Sequence, residues 1–160
     1  MNIRIGQGQD LHRLAPGEEL IIGGIKINHD LGTVAHSDGD VLLHSIIDAI
    51  LGSLALGDLG KYFPDTEPHL RGIASHKLLA RILQLKELKG VKIINIDTTI
   101  HLQSPKLENY IPLMRKNIGE LLSIDESAIS IKAKTGECCD SIGRHEAISC
   151  DAIILVEKTK

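Results

Sequence analysis

The chain has 160 residues, 42% of them hydrophobic, which suits one domain with a packed core and argues against wholesale disorder. Aromatic residues make up only 2%, with no Trp, so the core must be built from Ile, Leu, Val and Ala, and no aromatic platform exists for stacking single-stranded nucleic acid. With 18 Lys and Arg against 21 Asp and Glu, the net charge of -3 leaves no broad basic field for a nucleic-acid backbone, although a small anionic ligand needs only a local site. Apolar runs are broken by Gly, Asp or Lys before they reach membrane-spanning length. The start, MNIRIGQGQD, lacks the long apolar region of a signal peptide. Three cysteines, two of them adjacent, do not make a disulfide framework, and a reducing, cytoplasmic setting is expected.

Residues 2–12 alternate and predict a strand running on to Asp10 and His12, followed by a turn over 13–19. LIIGGIKI (20–27) predicts a second strand with a kink or bulge at Gly23-Gly24, and 28–36 reads as a polar loop. The main helix is expected from Ser37 or Asp38 to about Leu54, because Val41, Leu42, Ile46, Ala49, Ile50 and Leu54 fit helical spacing. Five Gly or Pro breakers make 57–72 a long loop. A second helix is expected over Ser75–Leu88, closed by Gly90, then a strand over 91–102, a loop, and a third helix over Ile111–Leu122. Strands at 127–134 and 147–158 flank a loop or broken helix at 135–146. The order predicts an α+β (mixed α/β, two-layer) fold in one domain over 1–160, with about four main strands, helices on one face, and a small hairpin.

Asp10 and His12 are two apart on a strand and share a face. Asp40, His44 and Asp48 form an i, i+4, i+8 polar stripe on the main helix. If the helix packs against the strand, Asp10, His12 and His44 converge as a set suited to zinc with an open fourth position. The competing reading makes Asp10 a turn cap and His44 a satisfied core histidine. Ser37 and Asp40 match a capping box, and the helix mouth behind His36 and Ser37 also offers donors to a phosphate. At a strand end, KAKTGE presents Lys134, Thr135 and Glu137, the last a hard ligand for Mg²⁺, against the plainer reading of a solvated turn. Ser104-Pro105-Lys106 is a weaker nucleotide signal. Cys138 and Cys139 with Asp140 and His145 form a poor soft-metal set, since adjacent cysteines do not share one tetrahedral ion well. Cys150 reads as a small buried residue.

Together, D-x-H at 10–12, AHSDGDVLLH at 35–44, LGDLGKYFPDT at 56–66, SPK at 104–106 and KAKTGE followed by Gly143-Arg144 resemble the 2-C-methyl-D-erythritol 2,4-cyclodiphosphate synthases over essentially the whole chain. The resemblance implies a CMP-releasing lyase of non-mevalonate isoprenoid synthesis, a homotrimer with active sites between subunits. It implies zinc on Asp10, His12 and His44, and magnesium or manganese at Glu137. His36 and Thr135 match the positions of transition-state stabilisers. Ser37, Asp58, Leu59, Gly60, Phe63 and Asp65 would surround the erythritol phosphate. Leu102, Ser104, Pro105, Lys106 and Leu107 would hold cytosine, and Lys134 the diphosphate. Arg144 matches a residue lining the family's central cavity, where an isoprenoid diphosphate is accepted, but Ser141 stands where the family has Phe. Two other classes predict different outcomes: a zinc phosphohydrolase would give a linear product, and a trimeric scaffold would take up metal without turnover.

Overall fold

The computed structural model describes residues 2–159. Its strands are β1 (Ile3–Pro16), β2 (Leu20–Ile22), β3 (Ile25–Ile27), β4 (Leu31–Val34), β5 (Val91–His101), β6 (Ile129–Lys134) and β7 (Ala147–Lys158). The helices are α1 (Val41–Ser53), the single turn α2 (Leu59–Tyr62), α3 (Ser75–Leu83) and α4 (Ile111–Leu122). Five strands form one sheet in the order β4-β1-β7-β5-β6, and β2 and β3 form a separate hairpin. Every pair is antiparallel except β5 and β6, which are parallel and joined through α4.

The helix α1 lies on β1 and β7 and is buried nearly all round, its polar His44 and Ser45 included. Two glycines permit its close approach. A Cβ on Gly6 would fall 1.8 Å from the Ala49 carbonyl oxygen, and one on Gly8 would fall 2.0 Å from that of Ser45. Gly6, Gly8, Asp10 and His12 alternate onto this helix-covered face. The opposite face carries no helix and leaves Ile3, Ile5, Leu11 and Ile153 exposed on the neighbouring strands β1 and β7.

Several predicted boundaries move. The stretch 20–27 is a hairpin rather than one kinked strand. Gly23 and Gly24 both have positive φ (60° and 74°), the backbone of a two-residue turn that reverses the chain. The expected turn at 13–19 is mostly strand, because β1 continues to Pro16 by pairing with β4, itself hidden in the polar stretch 28–36. The second helix stops at Leu83 and gives way to a short 3₁₀ turn over Lys86–Leu88.

The main helix starts at Val41, not at Ser37 or Asp38. Gly39 has φ +68°, which breaks a right-handed helical path, and Asp40 is the N-cap. The expected capping box therefore does not form. Asp40 is fully buried, and its carboxylate accepts the N–H groups of Leu42 (3.1 Å) and Leu43 (3.0 Å) at its own helix. It also accepts those of Gly23 (2.9 Å) and Gly24 (2.6 Å) in the hairpin turn. Complete burial pushes its carboxyl up to about 6, against the pull of the Leu43, Gly24 and Gly23 amides and with help from the Asp38 charge. The polar stripe divides accordingly. Asp40 locks hairpin to helix, Asp48 accepts the Leu59 N–H at 2.7 Å and so holds α2, and only His44 turns toward β1.

Candidate active site

Asp10 and His12 reach the site because β1 alternates, and His44 because α1 lies across that strand. Asp10 Oδ2 is 2.8 Å from His44 Nδ1 and 3.1 Å from His12 Nε2, and the two imidazole nitrogens are 3.3 Å apart. The three ligand atoms lie within 4.8 Å of one another, and among the described residues no other such group occurs. A carboxylate and two imidazoles converging on one point are a donor set that fits a divalent metal. Burial alone would raise the Asp10 carboxyl. Hydrogen bonds from His12 and His44 and their positive charge outweigh it, holding that carboxyl well below the usual range. Burial would likewise lower His44, yet the hydrogen bond and charge of Asp10, with Asp40 and Asp38 behind, raise it. The side chains are thus already arranged to stabilise positive charge at this point.

These three residues line a cavity of about 190 Å³ together with His36, Ser37, Leu59, Phe63 and Asp65. Leu70, Ile73 and Leu78 complete its apolar wall, and sequence reasoning did not single these out. Asp58 stands just outside, capping α2 by accepting the Lys61 N–H at 3.0 Å, and Gly60 lies within that turn.

A second cavity, of about 250 Å³, opens where β5 and β6 end. Leu102, Pro105, Lys106, Leu107, Lys134 and Thr135 line it. Leu102 and Leu107 are buried and form an apolar floor, while Lys106, Lys134 and Thr135 are exposed. The Ser104-Pro105 peptide bond is cis. Ser104 Oγ lies 3.2 Å from His145 Nδ1. Glu137 sits beside this cavity, its carboxylate accepting the Thr135 hydroxyl at 2.8 Å. Gln103 joins the two loops by accepting the Gly136 N–H at 3.2 Å. Arg144 is brought to neither cavity and pairs with Glu146 at 3.0 Å. Cys138 and Cys139 are exposed free thiols, Cys150 is buried, and the weak soft-metal set around them does not assemble.

On one chain β7 lies between β1, which carries Asp10 and His12, and β5, whose end borders the second cavity. From β1 to β5 is two strand spacings, about 10 Å.

A metal-competent carboxylate and imidazole set, with a strand-end cavity across the sheet, defines a mixed α/β protein built to handle a charged small molecule. The YgbB family matches residues 3–157, and the chain belongs to that family. It is 49% identical over 156 residues to the 2-C-methyl-D-erythritol 2,4-cyclodiphosphate synthase of Geobacter sulfurreducens, covering 98% of this chain and 99% of that one. Among solved structures, IspF of Plasmodium falciparum in complex with CDP superposes with a TM-score of 0.86 at 40% identity, over 99% of this chain and 98% of that one. The bifunctional IspDF of Campylobacter jejuni superposes with a TM-score of 0.92 at 37% identity, where this chain spans 43% of the longer protein.

Proposed function

We propose that the chain converts 4-diphosphocytidyl-2-C-methyl-D-erythritol 2-phosphate into 2-C-methyl-D-erythritol 2,4-cyclodiphosphate and CMP. The reading rests on one observation above the rest: a metal-competent set shares a cavity with His36 and Ser37 in a chain 49% identical to a relative of that name. In the reaction, an oxygen of the substrate's own 2-phosphate attacks the β-phosphorus. The bond from that phosphorus to the CMP oxygen breaks, and CMP leaves with the electron pair. The nucleophile is already an anion, so positioning and charge neutralisation matter more than a strong base.

Asp10, His12 and His44 would hold zinc, and Glu137 would hold magnesium or manganese. These ions, when bound, supply Lewis-acid neutralisation of the reacting phosphates. His36 and Ser37 orient the 2-phosphate, with Asp58, Leu59, Gly60, Phe63 and Asp65 around the erythritol. Leu102, Ser104, Pro105, Lys106 and Leu107 receive the cytosine, Lys134 serves the diphosphate, and the Thr135 hydroxyl, which donates to Glu137 before substrate binds, would turn to the charge that develops at phosphorus. Holding the substrate folded contributes up to roughly 7–11 kcal/mol in favourable cases.

The assembly is a homotrimer in which one subunit's metal cavity meets a neighbour's nucleotide cavity. The helix-free sheet face, with Ile3, Ile5, Leu11 and Ile153 exposed, supports such self-association. No helix among the described residues is long and apolar enough to cross a membrane, and we place the enzyme in the cytoplasm. Incubation with the substrate, zinc and magnesium tests the activity. CMP and a cyclic diphosphate are expected. A linear product would identify a phosphohydrolase, and metal uptake without CMP release would identify a scaffold.

A further inference from the structure

His44 has a second set of contacts on the side away from Asp10. Its Nε2 lies 2.8 Å from Ser75 Oγ and 3.2 Å from Ser37 Oγ. Ser75 is the first residue of α3 and is fully buried. Its backbone N–H donates to Asp38 Oδ2 at 2.8 Å, and its hydroxyl donates to Asp38 Oδ1. The surrounding backbone is fastened as well. Asp38 N–H donates to the Ile73 carbonyl at 3.1 Å, and Gly72 N–H to that of His36 at 2.7 Å.

Counting protons fixes the direction of this chain. A serine hydroxyl has one proton, and a carboxylate only accepts. The Ser75 proton goes to Asp38, so the Ser75 oxygen faces His44 Nε2 as an acceptor, and Nε2 carries a hydrogen. Without metal Nδ1 also carries a hydrogen, which it gives to Asp10 at 2.8 Å; once a metal displaces that proton, the lone pair is on Nδ1, the atom that meets Asp10 and His12. A carboxylate or hydroxyl behind a ligating histidine sets its tautomer and ring angle in this way.

We propose that Ser75 and Asp38 are positioning residues of the metal centre: the chain Asp38–Ser75–His44 fixes the imidazole with Nδ1 aimed at the metal point, and so ties ligand geometry to the start of α3. The consequence is mechanical as well as chemical. The same contacts anchor the 36–38 segment that carries His36 and Ser37, so the metal ligand and the phosphate-facing residues keep one relative placement. This inference rests on the zinc reading of Asp10, His12 and His44.

The test compares wild type, Ser75→Ala, Asp38→Asn and Ser75→Thr by zinc titration of metal-free protein against a chelating dye. Thermal unfolding of the metal-free proteins reports on the fold. Asp38→Asn keeps the side-chain shape but offers one acceptor where Ser75 presents two donors. The zinc dissociation constant is expected to rise roughly ten- to hundredfold in Ser75→Ala and Asp38→Asn. Ser75→Ala belongs at the lower end, because Ser37 Oγ is a nearby substitute acceptor. Ser75→Thr retains the hydroxyl and restores most of the affinity. Ring ¹⁵N spectra of the zinc-loaded wild type should show His44 protonated at Nε2. Zinc affinity within about twofold of wild type in folded Ser75→Ala and Asp38→Asn overturns the proposal, even if the melting temperature falls. Should Ser75→Ala not fold, Asp38→Asn alone decides. A wild type that takes up no zinc sinks the metal-centre reading itself and this inference with it.

Discussion

The two cavities are built by opposite means. In the first cavity the converging Asp10, His12 and His44 come from β1 and α1, and hydrogen bonds hold them: His44 is clamped between Asp10 and Ser75. In the second cavity, proposed for the nucleotide, Lys106 and Lys134 are exposed above a floor of Leu102 and Leu107, with exposed Glu137 beside it. The metal-competent set is held by these hydrogen bonds before anything binds, as the proposed reaction requires of a site that would fix a metal against reacting phosphates. The second leaves its cations free to adjust to a ligand. Damage should therefore read differently in each: lost chemistry in the one, weakened binding in the other.

The largest expected effect breaks the rigid half. His12→Ala removes one ligand from the metal set, and kcat should fall by roughly a hundredfold or more while affinity for CDP stays near wild type. Steady-state kinetics with a separate CDP titration checks this, and a fully active variant would remove His12 from the site. A smaller effect is expected in the adaptable half. Lys106→Ala should raise KM about tenfold, the worth of one charge-assisted contact, with zinc content unchanged. A fall in kcat at constant KM would contradict that assignment.

The third effect concerns the frame beneath the metal cavity. The Asp40 carboxyl is pushed up to about 6 from an ordinary 3.8, so the folded protein binds its proton more tightly than the unfolded chain does. Its contribution is fully present below about pH 4 and is lost as pH rises through 6. Asp40→Asn breaks the fourfold amide contact and should cost about 1–3 kcal/mol at pH 5. The gap between wild type and variant should narrow from pH 4 to pH 6.5. Urea unfolding across that range measures it, and a gap that widens would reverse the sign.

Sequence patterns located the metal set because its members carry local signals. Asp10 and His12 sit at strand spacing, and His44 falls on the one helix that packs over them. The frame was harder to read. β4 lies in a stretch with few apolar residues, since an edge strand needs pairing on one side only. Gly39 moved the helix start because a single positive φ outweighs a plausible capping pattern. Ser75 could not be found at all: a serine opening a helix looks like an ordinary terminal residue, and its partners are 31 and 37 positions away. The residues expected to hold a nucleotide were named through family resemblance, and the structure adds that Leu102, Pro105, Lys106, Leu107 and Lys134 line one cavity.

In the proposed assembly the metal-competent half of one subunit works with the nucleotide half of another. Mixing inactive His12→Ala with inactive Glu137→Ala, after dissociation and reassembly, tests it. With random mixing, about a quarter of the sites combine two intact halves, and CMP release should return to roughly that share of wild type. If the reassembled mixture remains as inactive as its parents, both halves must come from the same chain, and the intersubunit site is wrong.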